Sequence, residues 1–313
     1  MPYPNPFSGQ PSLHVLVTGG TGFIGTALVN QMVEAGHQVV VLTRDPLRAS
    51  ARLGKRVRCI DDLATYFAQP ESPGLDAVVN LAGAPVVGWP WTKSRQQVLL
   101  ASRAGTTRSV VKTLTQVNRL PRVWVQASAI GFYGVRPPSE RLTETSRPGV
   151  GFMAKLCQRW EESANPVSLV SRRLVTLRLG VVWGKGGALP PLLMPFRLGF
   201  GGRIGSGSQM VSWIHLQDVL RLVARCLTDT SMAGVYNTVA PDSISQAQFA
   251  KTAAAVLHRP SWFPLPAAPM RWVLGEMAEI FVDGQQVVPQ RLVSQGFHFD
   301  FPTAQSALLD LTR

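Results

Sequence analysis

Short runs of apolar, mostly β-branched residues recur along the first 180 residues and alternate with helical stretches. The runs are Leu13–Val17, Val39–Leu42, Val78–Leu81, Val123–Val125 and Val175–Leu179. Each run is predominantly apolar, which is typical of strands that are buried on both faces of a parallel sheet. The helical segments between them are Thr26–Ala35, Trp91–Val117 and Gly151–Ser163. This alternation predicts an α/β fold with a doubly wound parallel sheet.

The sequence changes character after Gly180. Glycines are concentrated in residues 184–187 and 199–207. Further along, the pattern predicts a helix over Val219–Leu227 with Asp218 as its N-cap, a strand over Val235–Asn237 and a helix over Gln246–Leu257. The C-terminal part of the chain is therefore expected to form a smaller mixed α/β region.

The composition is that of a globular protein with an excess of positive charge. Hydrophobic residues make up 45% of the 313 residues and charged residues only 16%, which excludes a disordered polyelectrolyte. The net charge of +13 comes mainly from arginines that are spread along the chain. Because they form no basic run, they favour an anionic small-molecule ligand over nucleic acid.

Cysteine usage and hydropathy bear on the location of the protein. Cys59, Cys157 and Cys226 show neither a disulfide framework nor metal-ligand spacing, so no metal site is predicted and a reducing compartment is favoured. No apolar stretch approaches the length of a membrane span, and the first twelve residues lack the apolar segment of a secretory signal. We expect a cytoplasmic protein without a membrane partner, in which residues 1–12 form a disordered tail.

A glycine-rich segment follows the first predicted strand directly and leads into the first helix. Its glycines, Gly19, Gly22 and Gly25, have the spacing Gly-x-x-Gly-x-x-Gly. They allow a tight turn, a close approach of the backbone to a pyrophosphate and close packing of the helix on the strand, while the helix amides face the phosphates. The motif predicts a dinucleotide site formed by Gly19, Thr21, Gly22, Phe23, Ile24 and Gly25.

Residues after the next strands refine the choice of cofactor. Thr43 and Arg44 stand where an NAD site carries an acidic residue for the ribose 2′-hydroxyl. A guanidinium beside a hydroxyl suits a 2′-phosphate instead, so the sequence favours NADP(H). Arg103 on the long helix either reaches the cofactor or is a solvated helix residue. The remaining predicted cofactor contacts are Leu81, Ala82, Gly83 and Val182.

Several motifs together resemble the extended short-chain dehydrogenase/reductases. The segments Thr18–Gly25, Asn80–Gly83, Ser128–Gly134, Arg178–Gly184 and Trp213–Asp218 occur in the order of that family. A more specific resemblance is to its YfcH-like "epimerase family" branch, through Met194–Gly199, Gly205–Gln209, Gln286–Arg291 and Gly296–Phe299. The resemblance covers about residues 13–311 and implies a Rossmann-type domain, NADP(H) binding and a C-terminal substrate-side domain.

These observations divide the chain after its N-terminal tail into two regions. Residues 13–180 are expected to form the Rossmann domain, with a contribution from 208–240. Residues 181–207 and 241–313 are expected to form the substrate side. A cleft between the two regions is predicted to be lined by Ser128, Tyr133, Val182 and part of Gly199–Gly207.

The proton-transfer pair of the resembled family is missing. Its reaction uses a tyrosine, a lysine four residues later and a serine that orients the substrate oxygen. The chain has four tyrosines, and none of them is followed by a lysine four residues later: Tyr3, Tyr66, Tyr133 and Tyr236. An alignment on Glu161 puts Met153 and Cys157 at the positions of the family's tyrosine and lysine. Ser128 matches the family serine and Tyr133 is the nearest substitute donor, so these two are the predicted catalytic residues, with packing as the alternative for Tyr133.

Two functions of different class fit the sequence. The first is an NADP(H)-dependent oxidoreductase or epimerase that acts on a sugar-like or other small polar substrate, with the cofactor supplying the hydride chemistry. The second is a non-catalytic NADP(H)-binding sensor or interaction protein, which accounts for an intact cofactor motif beside a lost Tyr–Lys pair. The sequence favours the enzyme, and it leaves the substrate and the oligomeric state open.

Overall fold

The structure is a computed structural model that describes residues 3–69, 72–88, 90–118, 120–268, 272 and 275–313. The strands in these residues are β1 (His14–Thr18), β2 (Gln38–Leu42), β3 (Arg58–Ile60), β4 (Ala77–Asn80), β5 (Val123–Ala129), β6 (Arg141–Leu142), β7 (Leu174–Leu179), β8 (Val181–Trp183), β9 (Met210–Val211), β10 (Trp213–His215), β11 (Gly234–Thr238), β12 (Ile244–Ser245) and β13 (Gln286–Val287).

The α-helices in the same residues are α1 (Phe23–Glu34), α2 (Pro46–Leu53), α3 (Leu63–Ala68), α4 (Lys93–Leu100), α5 (Thr106–Gln116), α6 (Phe152–Glu162), α7 (Leu189–Arg197), α8 (Leu216–Thr228), α9 (Gln246–Leu257), α10 (Glu279–Val282), α11 (Gln290–Ser294) and α12 (Ala304–Thr312). Short 3-10 turns cover Ile130–Tyr133, Asn165–Leu169 and Gly275–Ala278. None of the helices in the described part of the chain is long and apolar enough to cross a membrane.

The main sheet has seven parallel strands in the order β3-β2-β1-β4-β5-β7-β11. The predicted doubly wound parallel sheet is therefore confirmed. The strand order reverses between β1 and β4, and ligands of such sheets bind beyond the carboxyl ends of the strands at that point. The fold thus places the loops after β1 and β4 at the centre of any cofactor site.

Helices cover both faces of the sheet because the strands are apolar on both sides. Val15 and Val17 of β1 pack in one core with residues of α1 and α8. Leu16 points the other way and packs in a second core with residues of α3 and α5. This alternation follows from the two-residue period of a strand, and it fixes the sheet between two helical layers.

The predicted long helix over Trp91–Val117 is interrupted. A π-helical turn, Ala101–Gly105, separates α4 from α5. A π-turn adds one residue to a helical turn and therefore rotates the side chains around it. Here Arg103 and Ala104 of the turn are buried.

The C-terminal segments form a separate core beside the sheet. The indole rings of Trp183 and Trp213 stack with their centroids 4.2 Å apart, and Phe249 of α9 packs against Trp183. Helices α7, α9 and α12 contribute further apolar residues to this core. Between these segments, α8 and β11 return to the main sheet, where β11 pairs with β7.

The predicted disordered tail is wrong for residues 3–12. Phe7 is fully buried among residues of β1, α1 and α8, and its ring packs edge-on against His37. Asn5 Nδ2 donates a hydrogen bond of 2.7 Å to the carbonyl of Gln31. Burial of one aromatic ring stabilises a segment that has few other apolar residues.

The predicted N-cap of α8 is also wrong. His215 is the N-cap, and its Nδ1 accepts a hydrogen bond of 3.1 Å from the amide of Gln217. Asp218 is fully buried instead and accepts hydrogen bonds from the amides of Asp300, at 2.7 Å, and Phe301, at 3.2 Å. It therefore fastens the segment before α12 to the main domain.

The pH dependence of stability should reveal the protonation states of these two buried side chains. Burial raises the pKa of Asp218 to about 7 and lowers the pKa of His215 to about 4. Between roughly pH 4.5 and 6.5, Asp218 binds a proton on folding, so its contribution to the free energy of unfolding falls as the pH rises. His215 loses a proton on folding, so its contribution rises by an equal amount. In His215→Gln only the contribution of Asp218 remains, so the free energy of unfolding should fall by up to about 1.4 kcal/mol per pH unit as the pH rises.

Denaturant titrations across this pH range measure the effect. The control is His298→Gln, which changes an exposed histidine and should leave the profile unaltered. Equal slopes for His215→Gln and the parent protein would contradict the opposed protonation of Asp218 and His215.

Candidate cofactor site

The loop after β1 packs against the loop after β4 so closely that their backbone atoms are in van der Waals contact. Gly19 has φ +69°, and a Cβ there would lie 2.5 Å from the carbonyl oxygen of Leu81. A Cβ at Gly25 would lie 2.2 Å from the carbonyl oxygen of Gly19. Only glycine fits at these two positions, which explains their spacing in the sequence motif.

Buried hydrogen bonds fix the two loops in this contact. Thr18 Oγ1 donates to Asn80 Oδ1 at 2.5 Å, and the amide of Ala82 donates to Thr18 Oγ1 at 3.2 Å. Asn80 Nδ2 in turn donates to Thr107 Oγ1 at 2.8 Å and to Gln126 Oε1 at 2.9 Å. The ends of β1, β4 and β5 are thereby tied to α5.

The first turn of α1 has free backbone donors. Gly22 is its N-cap and supplies no side-chain cap. The amides of the first helical turn, at Phe23, Ile24 and Gly25, therefore lack a side-chain acceptor and can bind a phosphate. Thr21 is partly exposed beside them. The structure brings these residues together with Leu81, Ala82 and Gly83, as a dinucleotide site requires.

Arg44 follows β2 at the outer side of this site. Its side chain is exposed, and it forms no ion pair with any residue in the described ranges. The neighbouring carboxylate is occupied, because Asp45 caps α2 by accepting a 3.0 Å hydrogen bond from the amide of Arg48. Thr43 is partly exposed next to it. Arg44 is thus available to an anion at the end of β2.

Arg103 is not a solvated helix residue. Its Nη2 donates to the carbonyl of Ala84 at 3.0 Å and its Nη1 to that of Leu99 at 3.2 Å. A Cβ at Gly83 would lie 3.0 Å from its Cζ. Arg103 therefore lies against the loop after β4, and its contact with the cofactor stays a prediction.

The C-terminal segments close onto the nucleotide loop through one aromatic ring. A Cβ at Gly184 would lie 2.6 Å from Phe23 Cζ, and one at Gly187 would lie 2.7 Å from Phe23 Cδ1. Glycines in 184–187 therefore leave the space that the ring of Phe23 needs. Val182, just before them, is partly buried against the main core. A second contact joins the C-terminal segments to β5, because Gln285 Nε2 donates to the carbonyl of Ile130, after β5, at 2.9 Å.

The two predicted catalytic hydroxyls lie inside a buried polar network. Ser128 Oγ donates to Glu161 Oε1 at 2.6 Å, and Glu161 pairs with Arg178 at 2.8 Å. Tyr133 Oη donates to Asn237 Oδ1 at 2.6 Å and accepts from Arg178 Nη1 at 2.9 Å. Both hydroxyls are almost completely shielded from solvent.

This burial argues against the predicted catalytic roles of Ser128 and Tyr133. Burial also raises the pKa of Tyr133, so the phenol stays protonated. The sequence signal for the network was Arg178, the one charged residue within β7. A charge in an otherwise apolar strand indicates a buried ion pair, and its partner is Glu161.

The helix that would carry a Tyr–Lys pair has apolar groups in their place. A Cβ at Gly131 would lie 3.2 Å from Met153 Cε and 3.5 Å from Cys157 Sγ. Burial raises the pKa of the Cys157 thiol to about 12, so it remains uncharged. Ala129, the partly exposed last residue of β5, has no hydroxyl. This wall can exclude water but cannot exchange a proton.

The described residues contain no cluster of three or more histidine, cysteine or acidic side chains that could hold a metal ion. Cys59, Cys157 and Cys226 are free thiols.

Comparison with known proteins identifies the family. Residues 15–238 match the model of the NAD dependent epimerase/dehydratase family. The chain belongs to this family. Residues 265–311 match a second model, a domain of unknown function designated DUF1731. The family assignment agrees with the resemblance seen in the sequence, and it covers the parallel sheet and the loops of the site.

Family members from bacteria and animals match over nearly their whole length. The epimerase family protein YfhF of Bacillus subtilis is 32% identical over 299 residues, which cover 96% of this chain and 98% of YfhF. The human epimerase family protein SDR39U1 is 36% identical over 303 residues, which cover 96% of this chain and 99% of the human protein.

Solved structures show the same fold. Human SDR39U1 (isoform 2) with NADPH superposes with a TM-score of 0.83 at 35% identity, covering 96% of this chain and 99% of the human one. UDP-glucose 4-epimerase of Thermus thermophilus with NAD has a TM-score of 0.73 at 18% identity, covering 96% and 97% of the two chains, and shows only the shared fold.

Mutation of the buried network should affect stability rather than cofactor binding. Glu161→Gln leaves Arg178 without its charge partner and should lower the free energy of unfolding by roughly 3 kcal/mol. Tyr133→Phe leaves Asn237 Oδ1 without its donor and should lower it by about 1–3 kcal/mol. Denaturant unfolding measures both, and Glu162→Gln on the exposed side of the same helix is the control.

The dissociation constant of NADPH should change by less than about threefold in both variants, since both side chains are engaged within the buried network. If Tyr133→Phe kept full stability but lost NADPH affinity or turnover, the direct role predicted from the sequence would be restored.

Proposed function

We propose that this protein is an NADP(H)-dependent oxidoreductase or epimerase that acts on a sugar-like or other small polar molecule. The observation that carries the proposal is the nucleotide cradle at the ends of β1, β2 and β4, with the C-terminal segments closed onto it through Phe23. A cofactor cradle that faces a second lobe provides a space for a substrate beside the dinucleotide.

NADP(H) is proposed as the cofactor because of Arg44. It is an exposed cation without an ion-pair partner in the described residues, and it follows β2, where the adenosine ribose of a dinucleotide lies. The NADPH in the structure of the human relative supports the same choice.

The cofactor would supply the hydride, and the chain's own residues would position it. The backbone of Gly19–Gly25 binds the pyrophosphate, and the Leu81–Gly83 loop supports a ribose. Met153 and the backbone at Gly131 exclude water from one wall of the cleft. Since this wall offers no proton donor, a proton would come from the substrate's own groups or from solvent.

The second candidate is a non-catalytic NADP(H) sensor or interaction protein. The observation that favours it is the burial of Ser128 and Tyr133, which leaves the cofactor cradle intact without an acid or base beside it. For both candidates we propose a small-molecule ligand without nucleic acid, and residence in the cytoplasm, which the three free thiols support.

Cofactor preference should depend on Arg44. A charge-assisted contact to the 2′-phosphate contributes about 1.5–3 kcal/mol, so NADPH should bind at least about 10-fold more tightly than NADH. Arg44→Ala should remove most of this preference and leave NADH binding unchanged. Calorimetric titration of both cofactors measures it, with Arg52→Ala, an exposed change on α2, as the control. Equal affinities in the parent protein would contradict the assignment.

Turnover distinguishes the two candidate functions. The protein at a concentration above that of the cofactor is mixed with NADP⁺ or with 4-deuterated NADPH and a panel of sugar nucleotides, hydroxy acids and small carbonyl compounds. An enzyme should change the absorbance at ~340 nm in a single turnover or transfer deuterium to a product seen by mass spectrometry. Tight NADPH binding without either signal would favour the sensor. Gly25→Val, which blocks the cradle, is the negative control.

A further inference from the structure

Two arginines of the α4–α5 segment reach the same loop after β4. The guanidinium of Arg95, on α4, donates to the carbonyl of Pro85. Arg103, in the π-turn, donates to the carbonyl of Ala84 at 3.0 Å. The two carbonyls belong to adjacent residues, so the π-turn and α4 bring two positive charges to the same loop.

These charges have no anionic partner within the ranges that the structure describes. The ion pairs there involve other residues, and Arg103 is only 8% exposed. Arg95 Nε is buried and has no hydrogen-bond acceptor. An acidic residue of the neighbouring segment, Glu276, is exposed, and its Oε2 accepts from Gln96 Nε2 at 3.4 Å; no ion pair joins it to Arg95 in the described ranges.

Such an arrangement is costly unless an anion completes it. Buried cations in proteins are nearly always paired, and two like charges close together repel. The pKa of Arg103 reflects both effects, because burial lowers it and the charge of Arg95 lowers it as well.

Holding the loop does not require these charges. The amide of Ala84 already donates to Ser102 Oγ at 3.0 Å, and Trp91 Nε1 donates to the carbonyl of Val86 at 3.0 Å. Neutral donors would bind the carbonyls of Ala84 and Pro85 equally well. The presence of two guanidinium groups therefore indicates a partner that neutral groups would not bind.

The phosphates of the cofactor have other partners. A pyrophosphate belongs to the first turn of α1, after β1, and a 2′-phosphate to Arg44, after β2. The arginine pair lies after β4, and α6 packs on its other side, with the ring of Trp160 5.1 Å from Arg103 Cζ. α6 also carries Met153, which forms the wall of the cleft.

We propose that Arg95 and Arg103 form an oxyanion site that binds a carboxylate or phosphate group of the second ligand. Paired guanidinium groups match the geometry of both anions. The inference rests on the proposed function and narrows its ligand from a small polar molecule to an anionic one.

The test uses the full chain saturated with NADPH, so that the cofactor's own phosphate sites are occupied. Inorganic phosphate and malonate are titrated into it by calorimetry at low ionic strength. Both anions, or one of them, should bind, and Arg95→Gln and Arg103→Gln should each weaken binding at least about 10-fold. Arg108→Gln, an exposed change on α5, is the matched control and should have no effect.

Three results would overturn the proposal: no binding of either anion to the parent protein, equal losses in Arg108→Gln, or binding that occurs only without NADPH, which would assign the arginines to the cofactor. NADPH affinity and thermal unfolding are measured for every variant. If Arg103→Gln does not fold, Arg95→Gln decides, since that side chain is partly exposed. Loss of NADPH binding in the parent protein would instead refute the proposed function, so the two failures are distinguishable.

Discussion

The contact between the backbone of Gly19 and the carbonyl of Leu81 is the constraint on which the site depends. It sets the separation of the loops after β1 and β4, and it tolerates no side chain at either Gly19 or Gly25. Thr18 and Asn80 hold it from below through hydrogen bonds that no solvent reaches. Because these bonds do not depend on a ligand, they preorganise the cradle, which lowers the entropic cost of binding.

Buried polar groups are used differently on the two sides of the cleft. Behind β5 and β7, the Ser128–Glu161–Arg178–Tyr133 network satisfies its own charges and hydrogen bonds, so it specifies packing and leaves nothing for a ligand. Beside β4, Arg95 and Arg103 have no acidic partner among the described residues. Whether a buried charge has a partner of opposite charge within the protein therefore distinguishes a structural network from a candidate binding group better than residue type does.

The sequence predicted those parts of the molecule that depend on local pattern. Apolar runs located the strands of the main sheet apart from β3, whose three residues, Arg58–Ile60, are too few to show a pattern. The glycine spacing located the nucleotide loop because a side chain at Gly19 or Gly25 would clash with backbone atoms nearby.

The remaining features depend on contacts distant in sequence. A motif shows that Ser128 lies at the end of a strand, but one residue decides which side of the sheet a side chain faces, and the partly exposed position belongs to Ala129. Helical periodicity cannot reveal the extra residue of the π-turn that buries Arg103. The burial of Phe7 and the capture of Asp218 by the amides of Asp300 and Phe301 likewise depend on chain segments far apart.

The ring of Phe23 has a consequence for how the molecule responds to a bound ligand. Phe23 begins the helix whose amides face the phosphates, and the same ring fills the space that the glycines of 184–187 leave empty. A rotation of that first turn therefore cannot occur without displacing the C-terminal segments, and a separation of those segments uncovers the turn. We therefore expect occupancy of the cradle and the position of residues 184–187 to be coupled through Phe23, in both directions.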